Sequence, residues 1–301
     1  MRKIILALAA FACIGGYAQV LTVASVDKLP LNPDPGTAVV AISPKGDYVL
    51  LSSYEKKGLA LMNIATGDEK VITDARGAGF DVKISQDGNT VVYREDNFNN
   101  NHLRYTGVKS ANLLTGEQKT ILEPSRDIEG VALEANTAAV VCNGKLKSKS
   151  VGSQSSSLQR PILSIADGQL MMTKGGKTRI FSPNGQDKSY IWKSLSPDGT
   201  KVLYYVCSDG AYVCNVDGTG VKSLGALRAP QWYGNDVVVG MLDIDDGYYV
   251  TSSSIIACNF NGVRQTLTDS GVIAMYPLPS SISGKIVFST PAGEAYVINL
   301  K

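Results

Sequence analysis

Three carboxylates and two phenols fall within seven residues, at Asp243, Asp245, Asp246, Tyr248 and Tyr249. Hard oxygen donors at that density suit Ca²⁺, and carboxylates beside aromatic rings suit a cationic or sugar ligand. The spacing is not that of an EF-hand, because Ser254 stands where the closing Glu would be. Two carboxylates are also the tools of glycoside hydrolysis, but adjacent positions on one hairpin do not face each other across a substrate. An acidic hairpin turn is the structural alternative. A second polar stretch, residues 94–105, holds the chain's one histidine, His102, beside Phe98, Arg104 and three consecutive Asn. It reads as a ligand-contacting loop or as a solvated hairpin tip. One His with no Cys or His neighbour does not make a metal centre. Arg76, Arg126, Arg228 and Trp232 complete the candidate set. No Gly-rich phosphate loop, no Gly-x-Ser-x-Gly elbow and no catalytic constellation is present.

Those residues need elements to hold them, and a repeat supplies them. An apolar strand, a turn ending in Gly and a second apolar strand recur at AISPKGDYVLLSS (41–53), KISQDGNTVVYRE (83–95) and SLSPDGTKVLYYV (194–206). More worn copies are LEANTAAVVCNG (133–144), WYGNDVVVGML (232–242) and PSSISGKIVFST (279–290). In the turn, Ser bonds its own backbone, Pro fixes φ and Gly takes positive φ. A second strand–turn–strand follows: LALMNIATGDEKVIT (59–73), SANLLTGEQKTIL (110–122), QLMMTKGGKTRIF (169–181), AYVCNVDGTGVKSLG (211–225) and IIACNFNGVRQTLT (255–268). Each unit therefore has four strands, a to d, and such a period predicts propeller blades.

Counting units predicts six blades, at 37–74, 78–124, 128–183, 188–226, 229–269 and 272–301. The last ends on its strand c, at AYVINLK. The spare strand at 20–30 is expected to complete it and close the ring, which removes an exposed edge. An all-β, six-bladed β-propeller in a single domain over 19–301 is the predicted fold. Within the third blade, residues 145–159 are rich in Lys and Ser and read as a mobile b–c loop. The candidate residues fall in b–c loops and before a strands, so they would gather on one face around the channel mouth.

The first 18 residues read as a signal peptide, with Arg2 and Lys3, an apolar stretch from Ile4 to Ile14, and Gly16 and Ala18 before a cut at Gln19. A lipoprotein anchored through Cys13 is the rival, though Leu is missing three residues before it. No later segment is apolar and long enough to cross a bilayer. Removing the leader takes two of the 29 basic residues and none of the 27 acids, leaving no net charge, so nucleic acid is not an expected partner. Cys142, Cys207, Cys214 and Cys258 remain, all in apparent strands, and are expected to be mostly buried free thiols.

The units, with Ser196-Pro197-Asp198-Gly199 as the best copy, resemble the TolB-type (PD40, WD40-like) propeller repeat over essentially the whole chain after the leader. The resemblance implies the fold and carries little about function. About a dozen residues precede the first unit, so the TolB N-terminal α/β domain is not expected, nor a strict Tol–Pal role. No hydrolase domain of the prolyl oligopeptidase type is expected after Lys301. Lyases that share the repeat use several His as metal ligands, which one His does not match. The expected function is an exported, non-catalytic binding or protein-interaction module of the cell envelope, periplasmic or secreted. It would be monomeric and hold an envelope protein, a small ligand or a glycan. A carbohydrate-active lyase or hydrolase around 243–249 and a structural subunit of an envelope complex are the alternatives. No cofactor is expected, with Ca²⁺ at Asp243, Asp245 and Asp246 the one exception considered.

Overall fold

The computed structural model describes residues 19–301 except 32, 33, 35, 153–156 and 281. The predicted leader therefore lies outside the described residues. Apolar strands broken by Ser–Gly turns fold into consecutive antiparallel meanders. The turn chemistry is as read: Ser196 Oγ donates to Asp198 Oδ1 at 2.6 Å and accepts from the Lys201 N–H at 2.9 Å, while Gly199 sits at φ 73°. Ser43 with Asp47 and Ser85 with Asp87 repeat the Ser–carboxylate bond, each at 2.5 Å.

Among the described residues the strands make seven sheets, not six. The N-terminal strand is β1 (Val23–Lys28). Blade 1 holds β2 (Thr37–Ile42), β3 (Tyr48–Ser53), β4 (Lys57–Asn63) and β5 (Glu69–Arg76). Blade 2 holds β6 (Lys83–Ile84), β7 (Thr90–Phe98), β8 (Arg104–Asn112) and β9 (Gln118–Ser125). Blade 3 has only β10 (Ile128–Glu134), β11 (Thr137–Cys142) and β12 (Lys145–Ser150), and blade 4 only β13 (Ile162–Ala166), β14 (Gln169–Lys174) and β15 (Lys177–Ile180). Blade 5 holds β16 (Tyr190–Leu195), β17 (Lys201–Val206), β18 (Gly210–Asn215) and β19 (Lys222–Gly225). Blade 6 holds β20 (Arg228–Tyr233), β21 (Val237–Asp245), β22 (Val250–Asn259) and β23 (Arg264–Thr266). Blade 7 holds β24 (Met275–Pro279), β25 (Lys285–Ser289) and β26 (Ala295–Leu300), completed by β1.

The ring closes where the spare strand requires it. β1 pairs antiparallel with β26, from Val23 opposite Leu300 to Lys28 opposite Tyr296. Lys28 and Glu294 add an ion pair at 2.5 Å. Each b strand is sandwiched between the neighbouring sheets, so β3, β11 and β17 are buried almost continuously instead of on alternate residues. Seven apolar clusters result, each shared by two adjacent blades. Leu50 and Tyr93 meet between blades 1 and 2, and Tyr190 and Leu170 between 5 and 4. Val49, Met62, Val287 and Val297 meet across the closing seam between blades 1 and 7.

The six-blade count fails inside 128–183, where one predicted blade is two sheets. The predicted mobile loop at 145–159 contains β12, and β13 follows it. β12 extends the β10–β11 hairpin, and β13 docks on the β14–β15 hairpin. β13 also runs the wrong way for an inner strand. The Glu134 carboxylate, at the end of β10, accepts from the N–H groups of Gln159 and Arg160. Gly130, nearer the start of β10, lies against Ile162, Leu163 and Ser164. The two chains thus pass in opposite directions. At the blade 5 boundary, Tyr190 N–H donates to Gly168 O and Arg160 packs on Gly199, giving the same sense. Blade 3 is therefore a, b and c without d, and blade 4 is b, c and d without a. The inserted KLKSKS strand carries no local strand signal, because Leu146 is its one apolar residue and both its faces are largely exposed. The seam it creates is thin: Ala139, Val141 and Ile162 are its buried apolar members.

No helix of the described residues is long and apolar enough to cross a membrane. Removing residues 19–28 leaves the β26 edge unpaired and uncovers the Val20, Leu21 and Val23 contacts. We expect the melting temperature of that variant to fall by at least about 5 °C, since each kcal/mol lost lowers Tm by about 2–4 °C in a domain of this size, read by circular dichroism.

Candidate functional site

The inner strands line a central cavity of about 660 Å³, which runs from the a–b turns at Pro44, Gln86 and Pro197 up to Lys83, Lys193 and Ser194. Near its loop-face mouth the inner strands do something unusual. Asp81, Trp192, Ala229 and Tyr276 all adopt left-handed backbone conformations, with φ of 53°, 48°, 46° and 54°. Each stands four residues ahead of the residue that opens its a–b turn: Ser85, Ser196, Tyr233 and Ser280. In blades 5, 6 and 7 the strand register shifts at the same place, which marks a bulge. Residues other than glycine are uncommon at positive φ, and each costs of order 1 kcal/mol or more. Four blades accept that cost at equivalent positions, and the bulges re-aim side chains at the mouth.

The charged centre of the mouth is Asp81. Lys83 Nζ hydrogen-bonds its carboxylate, Lys193 Nζ lies 3.6 Å away from blade 5, and Arg94 Nη2 lies 4.0 Å away. Burial alone would raise the Asp81 pKa; the charges of Lys83, Lys193 and Arg94 overcome it and hold the pKa at about 2. Lys193 is pushed down, first by burial and then by its cationic neighbours Lys83 and Arg94, with Asp81 opposing. Arg94 is pushed down by burial too, and its guanidinium lies 5.1 Å from the ring of exposed Phe80. Trp192 packs edge-on against Tyr205 at 5.1 Å.

The predicted site residues divide. Arg104 and Arg126 come together with Arg94, Phe80 and Asp96 around a smaller cavity of about 220 Å³ beside the mouth. Arg104 stands 4.0 Å from Asp96, which accepts from Thr106 Oγ1 at 2.5 Å. Phe98 lies 6.0 Å from the Arg76 guanidinium at the end of the β7–β8 arms. His102 occupies the left-handed position of an exposed hairpin tip, its N–H bonded to Asn99 O at 2.9 Å, so this loop is a stereotyped turn.

The acidic segment at 243–249 does not converge. Asp243, 2% exposed in its side chain, takes Arg228 Nη1 at 2.5 Å. Asp245 accepts from the Gly247 N–H, and Asp246 from the N–H groups of Tyr248 and Tyr249 at 2.9 and 2.8 Å, bonds that lower the Asp246 pKa. These carboxylates build their own turn. What the turn presents is aromatic: Tyr248 is 90% and Tyr249 77% exposed. Trp232 is buried in the core, with Nε1 3.4 Å from Ser194 O, and touches the cavity from blade 6. No group of three or more His, Cys, Asp or Glu among the described residues is arranged to hold a metal ion. Cys142, Cys214 and Cys258 are buried free thiols, whereas Cys207 is exposed; burial pushes the Cys214 pKa up to about 12.

Residue typing alone missed Asp81, Lys83, Lys193, Trp192 and Tyr276, yet a signal existed. Counting back four residues from the turn serines Ser85, Ser196 and Ser280 lands on Asp81, Trp192 and Tyr276, whereas Ser43 leads to Val39, an ordinary strand residue.

No family model matches the chain, and no curated protein matches it. Solved structures do. The Cps50 (Swd1) β-propeller domain of Myceliophteria thermophila superposes with a TM-score of 0.59 at 9% identity, over 93% of this chain and 100% of that one. The chain is a β-propeller. The propeller domain of the trilobed protease from Pyrococcus furiosus, described as having an open velcro topology, gives 0.51 at 14% identity over 81% and 88% of the two chains. The present propeller instead closes through β1 and β26. TolB from Acinetobacter baumannii gives 0.48 at 16% identity, covering 76% of this chain and 53% of that one. Likeness at these identities shows the fold and leaves function to the site.

Two outcomes follow from the charges. Arg228→Met strands a buried Asp243 carboxylate and is expected to cost about 3 kcal/mol, with Asp243→Asn in the same chain restoring part of it in denaturant titrations. For Asp81, the folded pKa of about 2 lies below the unfolded value of about 4. Its contribution to stability is complete above pH 4 and is lost as pH falls towards 2. Asp81→Asn is expected to lower stability at pH 7 by about 3 kcal/mol and to flatten the decline between pH 4 and 2, measured by melts across that range.

Proposed function

We propose that this chain is an exported, non-catalytic β-propeller that binds a partner on its loop face, at the channel mouth. The observation that carries this is the set of left-handed bulges at Asp81, Trp192, Ala229 and Tyr276 around one opening. Strain repeated at equivalent positions is kept where side chains must be held for contact. Exposed rings frame the same face: Tyr54, Phe80, Phe98, Tyr276 and the Tyr248–Tyr249 tip. Aromatic side chains with large accessible faces and polar edges are the usual anchors of protein and glycan contacts.

Export rests on Arg2, Lys3 and the apolar stretch behind them, followed by small residues at 16 and 18. It places the propeller in the periplasm or outside the cell. A binding role is preferred to glycoside chemistry because Asp243 faces Arg228 while Asp245 and Asp246 bond their own turn. That leaves no pair of carboxylates opposed across a cleft there.

The test is capture from the envelope by the tagged, full-length protein, wild type against Tyr276→Gly and against Tyr248→Ser with Tyr249→Ser. Glycine relieves the left-handed strain at 276, so its Tm is expected to hold within about 3 °C. A stoichiometric partner held by wild type should be lost from both variants. Equal capture by all three proteins would overturn the assignment of this face.

A further inference from the structure

We propose that the central cavity is a site for a small organic carboxylate, its charged end at Lys193, Lys83 and Ser194 and its apolar body among Ile84, Val131, Leu195 and Trp232. The inference rests on the mouth being the binding centre and adds the chemistry of what enters it.

The first observation is an imbalance of charge. Three cations, Lys83, Lys193 and Arg94, converge on one carboxylate, Asp81. Lys193 is only 19% exposed, so it carries its charge with little water around it. Cations in such a setting attract a further anion strongly, because solvent screens them poorly. The second observation is unmet hydrogen-bonding capacity at the same place. Ser194 Oγ is buried and has no hydrogen-bond partner, nor has the neighbouring acceptor Asp81 Oδ2, while the unpartnered Arg94 Nε belongs to the residue lining the smaller cavity. Buried hydroxyls without a partner are uncommon, and each asks for an explanation. Ser194 lines the cavity next to Lys193, and a change of rotamer would bring its shielded hydroxyl to a ligand oxygen held by Lys193.

The third observation selects the ligand. Below the cations the cavity wall carries Ile84, Val131, Leu195 and Trp232, with Gln86, Glu134, Arg160 and Ser196 nearer the turns. A bare oxyanion such as phosphate would satisfy the cations and leave that wall facing water. A carboxylate with an aliphatic or aromatic body satisfies both ends. The donors fit this choice: the ammonium groups of Lys83 and Lys193 act as point charges, while the lining guanidinium, Arg160, sits at the turn end against Gly199.

The experiment is calorimetric titration of the purified protein with hexanoate, with hexan-1-ol and inorganic phosphate as separate probes. Hexanoate should bind, and both other probes should bind at least tenfold more weakly. Lys193→Gln should weaken hexanoate by tenfold or more. Lys193→Arg, which keeps the charge, should retain most of the affinity and report that the cavity is still formed. Lys119→Gln, on the outer strand of blade 2, should change nothing. Equal binding of hexanoate and hexanol would overturn the charged end of the proposal, and equal binding of phosphate its apolar end. A wild-type protein that holds its partner but takes up no hexanoate at millimolar concentration would overturn the carboxylate site alone, leaving the loop-face reading intact.

Discussion

The antiparallel pairing of β1 with β26 is the contact on which everything else depends. It joins the first described strand to the last, across more than 270 residues of chain, and turns a row of sheets into a ring. Each apolar cluster is shared between two blades, so no blade owns a complete core. An open row would leave the Val49–Val297 seam exposed on both sides. Closure also creates the channel, and with it the only geometry that brings Lys193 of blade 5 to Asp81 of blade 2. The charged mouth is a consequence of the ring, not of any single blade.

The split between blades 3 and 4 shows how a ring tolerates an added sheet. Two strands placed between b and c of one unit each find a ready edge, β12 on β11 and β13 on β14. Backbone pairing is satisfied at once, whatever the side chains. Burial follows less well. Lys145, Lys147 and Lys149 point to solvent from β12, although Lys149 Nζ reaches Thr120 O on blade 2 at 2.7 Å. The seam between the halves is therefore held by Ala139, Val141 and Ile162, with Gly130 admitting the close approach of Ser164. The reversed direction of β13 costs nothing in hydrogen bonds, because inner strands of neighbouring blades do not pair.

The repeat and the closing strand were legible in the residues because turns and buried strands are written in local chemistry. Ser-Pro-Asp-Gly needs only four residues to be recognised, and VLYY needs only its own apolar run. The extra sheet was hidden because KLKSKS has neither. Its strand character comes from the partner edge, a tertiary effect that local propensity does not carry. The candidate site was partly legible for the same reason. Loop counting assigns Arg104 and Arg126 to the loop face, and in the structure they meet at one cavity. Asp243 was chosen for its neighbours in sequence, but alternation along β21 sends it to Arg228 while Asp245 and Asp246 turn back on their own backbone. Asp81 and Lys193 are ordinary as residue types. Only the ring makes them partners.

Closure can be measured without touching the core. Ser25 and Asn299 are opposite one another in the closing pair, with Asn299 Nδ2 donating to Ser25 Oγ at 3.0 Å, and both are accessible enough to replace. Ser25→Cys with Asn299→Cys, in a Cys207→Ser background that removes the one exposed thiol among the described residues, should form an intramolecular disulfide under mild oxidation. The cross-linked protein should migrate faster on a non-reducing gel and gain about 3 kcal/mol or more in stability. Two thiols that stay free in the folded protein, with stability unchanged by oxidant, would show that the two ends of the chain do not meet and that the ring is not closed.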